Sequence, residues 1–431
     1  MVRNDRLSVP PFMVRAVDLA NSPAEAGLSD AAVRHMVMAA AAMAAKALTD
    51  TEQSAEGRLG TLMDAYGRVQ AARGPAAPLS FGRFRALLRG DLARLLPAAV
   101  PAEEMDGVRL IDPDGDFDED FFDLEIEQRV LMRALAKTTH GGRPASTRTL
   151  EAEMDQDRVF TALRKRMDQD AYVHGRSSLI RMPAGSDAQL RRLNLPSSVA
   201  EFYRPVCFDA MWDRWWFACP VCHWPMKVTV HGSRAGTRTG GVRCFHRPHA
   251  TWGAAYSFKL PDAGRPPVLR PQSRPAAPSG AQAVLFPDLT GQVPEPVPVE
   301  GHKALTRGVW RWTTVPGLVE IALFDALRER GLSVALWPEL DAYDLLVTAG
   351  QGASRAEFRL DVKDYTSALL LAKKIQADGG DRGGAEWLVV PDYRESSLEL
   401  VGSVAGEFAL KAATASGIGE LICKKAGAAW Q

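Results

Sequence analysis

The chain lacks any run of about 20 apolar residues, the length a membrane-spanning helix needs. The longest apolar stretch near its start, residues 36–45, is bounded by His35 and Lys46. No apolar segment backs Arg3, Asp5 and Arg6, so a secretory leader is not expected. Net charge is also lacking: 52 Lys+Arg balance 52 Asp+Glu, so any argument for nucleic acid has to come from local charge. Cysteine is scarce, five in 431 residues. An odd, small number argues against a disulfide framework and for a reducing, cytoplasmic setting without membrane partners. No internal repeat is visible. With 46 % hydrophobic and 24 % charged residues over 431 positions, a globular protein of two or three domains is expected.

Two segments divide the chain. Residues 261–300 hold ten of the 28 prolines and read as an extended Pro-rich linker, because proline cannot donate to a helix or ladder. Residues 103–127 hold twelve Asp/Glu against Arg109 alone. They read as a solvated, partly disordered loop, with a mimic of nucleic acid as the sharper alternative. Residues 1–102 read as a helical domain. Ser29-Asp30 caps residues 31–48, residues 51–70 repeat the pattern, and Phe81, Phe84, Leu87, Leu88, Leu92 and Leu95 follow at helical spacing. The Ala-rich helix is expected as packed core without chemistry of its own. Across residues 125–200, three short helices and a hairpin predict a winged helix-turn-helix, with β-like runs on either side of Tyr172-Val173-His174-Gly175-Arg176. Its DNA contacts would be Arg164, Lys165 and Arg166 on a recognition helix and Arg176 on the wing; the alternative is a protein-contact module.

Four of the five cysteines and four of the eight histidines fall in one stretch. Cys219-Pro220-Val221-Cys222 is a knuckle, and Cys244 follows with His246 and His249 beyond it. Zinc takes four tetrahedral N or S ligands, so Cys219, Cys222 and Cys244 with His249 predict a structural Zn2+ site. His246 is the alternative fourth ligand and Cys207 the outsider. The β-like Val228 and Val230 and the Gly-rich turn suit a zinc ribbon over residues 201–260. A redox motif would not need Cys244 and two histidines. Residues 202–260 carry eight Lys/Arg against Asp209 and Asp213, and five of the ten tryptophans. That mixture fits phosphate contact with base stacking, and equally fits tryptophans packing a small core.

Residues 301–431 carry the carboxylates. Leu323, Phe324 and Leu327 stand at i+3, i+4 and i+7 from Glu320, which puts this acid on the apolar face of a helix, a costly place without a partner or a metal. A β-like run (residues 332–337) precedes Asp344 and the apolar Leu345-Leu346-Val347. A third strand alternates Phe358, Leu360 and Val362 with Arg359, Asp361 and Lys363, so Asp361 and Lys363 project together. A helix (365–375) and a strand (386–390) follow. Helix with Glu, strand, strand with Asp, strand with Asp-x-Lys, helix, strand is the layout of a carboxylate metal site. Asp344 and Asp361 would hold Mg2+ (or Mn2+), with Glu320 a further ligand directly or through water. Lys363 would orient or deprotonate the attacking water and offset charge on the phosphate. The bland alternative is a solvated strand edge with Asp and Lys paired.

Asp344 with Asp361-Val362-Lys363 resembles the PD-(D/E)xK motif of the restriction-endonuclease-like superfamily, though no proline directly precedes Asp344 and the second half-motif has Asp rather than Glu. The arrangement as a whole resembles the nuclease partner of the prokaryotic PIWI-RE three-gene defence islands, which pair it with a PIWI protein and a helicase. The resemblance implies a C-terminal α/β nuclease domain with a mixed sheet, acting on DNA or an RNA–DNA hybrid, with target choice left to the partners. The leading expectation is therefore a Mg2+-dependent DNA endonuclease. The alternatives are a non-catalytic nucleic-acid-binding adaptor with a nuclease-like scaffold, and a zinc-dependent hydrolase. The multidomain reading is residues 1–102 helical, 103–124 acidic loop, 125–200 winged helix, 201–260 zinc ribbon, 261–300 linker and 301–431 nuclease.

Overall fold

The structure, a computed structural model, describes residues 30–49, 54–102, scattered positions within 105–127, and 147–431 except 166, 233–237, 263, 287, 290 and 351–354. The chain forms two compact units, Met1–Phe121 and Phe122–Gln431. No helix among the described residues is long and apolar enough to cross a membrane.

The first unit is helical, as expected. It contains α1 (Asp30–Thr49), α2 (Ala55–Arg73) and α3 (Phe81–Leu87). Ser54 and Ser80 accept from the backbone N–H of Gly57 and Arg83 and so start α2 and α3. Val37, Ala41, Ala44 and Ala45 of α1 are buried, as are Leu62, Ala65, Val69 and Ala72 of α2. These are i, i+3/i+4, i+7 stripes of mostly small residues, which let the two helices pack closely. The single helix expected over residues 80–96 is instead α3 and a 3-10 turn (Leu92–Leu95).

The second unit opens with α4 (Thr147–Arg164) and α5 (Gln169–Arg181). This corrects the winged-helix reading: no β-hairpin occupies residues 172–182. Tyr172, Gly175, Arg176 and Leu179 are buried at i, i+3, i+4 and i+7, so a helical stripe outweighs the turn signal of His174-Gly175. Arg176 is thus inside the protein, not on a wing. Most of the expected first helix of that module, and Arg166, lie outside the described residues.

Short strands β1 (Ala184–Ser186) and β2 (Tyr203–Pro205) flank a later strand, β7 (His302–Leu305), in a three-stranded sheet. An antiparallel sheet holds β3 (Lys227–Gly232), β4 (Arg238–Arg243), β5 (Ala255–Lys259) and β6 (Arg270–Pro271) in that order, with α6 (Arg247–Thr251) between β4 and β5. The Pro-rich segment does not run free as a linker. It supplies β6, which pairs with β5, and buries Leu269, Leu285 and Leu289.

The C-terminal part is a five-stranded mixed sheet. A continuous helical stretch begins at Arg307, passes through a π-helical turn at Trp310–Thr314, and continues as α7 (Val315–Glu329). Then come β8 (Ser333–Leu336), β9 (Leu345–Ala349), β10 (Ala356–Val362), α8 (Ala368–Ala377), β11 (Trp387–Val390), α9 (Leu398–Gly406), β12 (Lys411–Thr414) and α10 (Ala415–Ala426). The strand order is β8-β9-β10-β11-β12, antiparallel through β10 and parallel beyond it. α7 packs against α5: a Cβ on Gly317 would meet Ile180 Cδ1 at 2.3 Å, so only glycine lets the two helices approach this closely.

Candidate active site and metal centre

Three adjoining elements deliver the motif carboxylates. α7 turns Glu320 inward, where it is 1 % exposed. Asp344 sits at the entry to β9, its N–H donating to Leu360 O at 2.9 Å. The same carboxylate accepts from Val362 N at 2.6 Å, which fixes it against β10. Alternation along β10 brings Asp361 and Lys363 to one side, as expected: Lys363 Nζ is 2.5 Å from Asp361 Oδ1 and 4.0 Å from Asp344 Oδ2. The ammonium therefore stands between the two carboxylates. Asp361 Oδ2 is buried and has no hydrogen-bond partner among the described residues. A buried carboxylate oxygen left bare is costly, and a hard oxygen donor in that position suits a divalent cation.

Glu320 is engaged differently. Its two oxygens accept from Arg176 Nη2 at 3.0 and 2.8 Å, and Oε2 accepts from Trp337 Nε1 at 2.5 Å. Arg176 Nη2 also reaches Asp344 Oδ1 at 3.4 Å, and Nη1 donates to Asp341. The guanidinium thus lies between Glu320 and Asp344, where a cation shared by those two acids would sit. Glu320, Asp344 and Asp361 do not gather into a group of three whose ligand atoms all lie within 4.8 Å.

Asp341 belongs to a strained turn. Trp337, Glu339, Leu340 and Asp341 have φ of 47°, 55°, 57° and 78°, left-handed values that each cost a non-glycine residue about 1–2 kcal/mol. Helices α4 and α5 hold this turn. Gln169 Nε2 donates to Leu336 O and Trp337 O at 3.2 and 2.9 Å, and its Oε1 accepts from Leu340 N at 2.9 Å. Arg164 Nε, expected on a recognition helix, donates to Leu340 O at 2.9 Å. The Tyr172 hydroxyl donates to Asp341 at 2.8 Å. Sequence reasoning assigns no role here to Asp341, Trp337 or Tyr172 and puts Arg176 on a wing; the helical spacing around Arg176 is the signal that points to its buried place.

Charge follows from burial. Desolvation pushes the Glu320 carboxyl up to about 8, with Arg176 pulling down and Asp344 and Asp341 pushing further up. Burial lifts Asp361 to about 6 against the pull of Lys363. Burial alone would lower Lys363, but Asp361 and then Asp344 hold it well above the usual lysine range. Lys363 is therefore an ammonium. Orienting a water and offsetting charge suit an ammonium; abstracting a proton does not. Its side chain is 29 % exposed, against 8 % for Asp344 and Asp361, so the cluster opens to solvent on the lysine side.

The cysteine-histidine cluster lies in the same unit. Cys219, Cys222, Cys244 and His249 are all buried, with their ligand atoms within 4.8 Å of one another. His249 Nδ1 is 3.5 Å from Cys244 Sγ and 4.0 Å from Cys219 Sγ, and Cys222 Sγ is 3.8 Å from Cys244 Sγ. Val221 N and His246 N donate to the sulfurs of Cys219 and Cys244 at 3.4 Å, an arrangement that favours thiolate. Burial and mutual contact push the Cys219 and Cys244 thiols up without a cation, so the donor set could hold a metal ion such as zinc and gains its full charge only with one. His246 is outside the cluster, its Nε2 3.8 Å from Asp364, and Cys207 is exposed elsewhere. Two of the nearby tryptophans pack inside the protein. Trp224 stacks on Trp310 at 4.4 Å and its Nε1 donates to Leu305 O. Trp252 packs beside His249, Phe286 and Tyr393.

Part of the acidic stretch is buried rather than solvated. Asp123 accepts from Arg311 Nε at 2.5 Å, and Glu127 accepts from Thr366 N and Ser367 N at 2.5 and 3.0 Å, at the start of α8.

Residues 317–430 match the model of a family described as a REase associating with pPIWI_RE. The narrower resemblance, drawn from the arrangement as a whole, is thus supported over this C-terminal segment, and with it a nuclease-like, PIWI-associated kinship of the segment. The matched segment contains Glu320, Asp344, Asp361 and Lys363; Arg176 and the Cys3His cluster lie outside it. No curated protein and no solved structure matches the chain.

Proposed function

We propose that the C-terminal domain is a divalent-metal-dependent DNA endonuclease working with PIWI-like and helicase partners. The observation that carries this reading is Asp361 Oδ2, a buried acceptor without a partner among the described residues, beside an ammonium that stands between Asp361 and Asp344. Asp344 and Asp361 would hold the cation, Mg2+ or Mn2+. When bound, it supplies Lewis-acid polarisation of a phosphoryl oxygen. Lys363 brings a fixed positive charge to the open side of the site, where it offsets charge developing on the phosphate. Glu320, committed to Arg176 and Trp337, acts by positioning that guanidinium against Asp344. The Cys3His cluster would hold a structural Zn2+, since four protein ligands leave no open position for hydrolysis.

One observation favours a second reading. Arg176 already pairs with Glu320, Asp341 and Asp344, as it would in a metal-free scaffold of a nucleic-acid-binding adaptor. The deciding experiment is a cleavage assay on double-stranded, single-stranded and RNA–DNA hybrid substrates, with and without Mg2+ or Mn2+. Cleavage should require the metal and vanish in Lys363→Ala and Asp361→Asn, which keep their zinc and their melting transition. Cleavage by both variants at the wild-type rate would remove this site; DNA binding with no cleavage under any metal would leave the adaptor.

A further inference from the structure

The loop after α8 reads Gly379-Gly380-Asp381-Arg382-Gly383-Gly384. A Cβ on Gly383, at φ 62°, would lie 1.9 Å from the carbonyl oxygen of Ala342, so this loop's backbone rests directly on the segment leading into Asp344. The Arg382 side chain turns inward and is 7 % exposed. Its Nη1 is anchored 3.3 Å from the Asp378 carboxylate, which Lys374 also engages. Nε and Nη2 are buried with no hydrogen-bond partner among the described residues. These two N–H groups share one edge of the guanidinium, the edge that takes two oxygens of a phosphate side by side. A buried donor edge left bare is costly. Its charge reaches the motif: Asp361 and Lys363 both feel Arg382 after the larger effects of burial and of their own pairing. Asp361 Oδ2 is the complementary orphan, buried and of opposite sign, and it is not bonded to Arg382. Two such groups in each other's field, neither touching the other, are arranged to be bridged rather than to pair.

We propose that Arg382 is a phosphate clamp, its Nε/Nη2 edge receiving two non-bridging oxygens of the phosphodiester at the Asp344–Asp361–Lys363 site. This rests on the nuclease reading above and adds a substrate-binding residue from a loop that the motif does not include.

The test uses the full chain, a short DNA duplex bound in Ca2+ over a range of salt, and then Mg2+-dependent cleavage. Arg382→Gln should weaken duplex binding about tenfold and lower the salt slope by about one contact. Arg382→Lys keeps the charge and loses the fork, so it should hold the slope yet cleave at least about tenfold more slowly. Metal content and melting serve as controls of fold. Wild-type affinity and slope in Arg382→Gln, or wild-type cleavage by Arg382→Lys, overturns the clamp while leaving the nuclease standing. Should Arg382→Gln not fold, the lysine variant decides alone. Duplex binding that depends on Arg382 without any cleavage supports the clamp and removes the nuclease; no duplex binding by the wild type overturns both.

Discussion

Removing the Arg176 charge should strongly destabilise the second unit. Arg176→Met keeps most of the aliphatic stem and loses the guanidinium, whose carbon lies 4.5 and 5.2 Å from the ring centroids of Trp337 and Phe160. It removes a guanidinium shared by Glu320, Asp341 and Asp344, and among the described residues only Asp341 keeps a second one, Arg164 at 3.3 Å. Those side chains are 2 %, 12 % and 8 % exposed, so water cannot replace it. Breaking a buried ion pair from one side costs about 3–5 kcal/mol. At about 2 °C per kcal/mol for a unit of this size, the melting transition should fall by about 6–10 °C. A second effect separates this loss from ordinary core damage. With the guanidinium gone, a divalent cation can neutralise Asp344 and Glu320, so Mn2+ should raise the variant's melting temperature more than the wild type's. Saturation at about a hundredfold over the dissociation constant would return about 2.7 kcal/mol. The assay is thermal unfolding of the full chain followed by tryptophan fluorescence, with and without Mn2+. A variant melting within about 1 °C of wild type, or one equally damaged but indifferent to Mn2+, would refute the charge accounting.

Three further outcomes are expected. His249→Ala or Cys244→Ala should lower bound zinc well below one equivalent by elemental analysis and destabilise the unit, whereas His246→Ala should retain the metal; equal zinc in all three would displace His249 as the ligand. Glu127 is held at about 8 mainly by burial, with Arg311 and the Thr366 and Ser367 N–H groups opposing. A carboxyl raised in the folded state stabilises fully below its unfolded value and loses that contribution as pH rises toward 8. Wild-type stability should thus fall across that window by up to about 1.4 kcal/mol per pH unit, and Glu127→Gln should flatten the slope in urea titrations; an unchanged slope counts against it. Gln169→Ala removes three hydrogen bonds to the strained turn, so it should cost about 2–3 kcal/mol in chemical denaturation. A loss below about 0.5 kcal/mol would mean the turn holds without α5.

What the sequence made legible was what local periodicity encodes. The period of two in β10 brought Asp361 and Lys363 together before any coordinates, and the helical stripe in α7 buried Glu320 as expected. Cysteine spacing points to the Cys3His cluster, in which His249 and not His246 joins the cysteines, since His246 turns toward Asp364. Illegible were contacts between distant elements. Nothing local links Arg176 to acids 144, 165 and 168 positions away. The turn at His174-Gly175 was overread because glycine inside a helix has the same local signal as glycine between strands. Proline density misled for a similar reason: proline forbids ladder donation but not packing, and β6 with Leu269 and Leu285 packs. The acidic stretch looked solvated because the cation that buries Asp123 is Arg311, in a π-helical turn 188 residues later.

Asp364 explains why these parts belong to one another. It follows Lys363 directly and its side chain is fully buried. Its carboxylate accepts from Arg311 Nη1 at 3.2 Å, Arg394 Nε at 3.0 Å and the Tyr393 hydroxyl at 3.1 Å, with His246 Nε2 3.8 Å away. Burial alone would raise this acid, yet Arg311 and Arg394 hold it well below the usual carboxylate range. One ionised side chain thus ties together the π-helical turn ahead of α7, the segment after β11, and the residue that follows the motif lysine. Irregular π turns cost helix hydrogen bonds and recur at functional sites; here the turn turns Arg311 inward to meet Asp364 and Asp123 together.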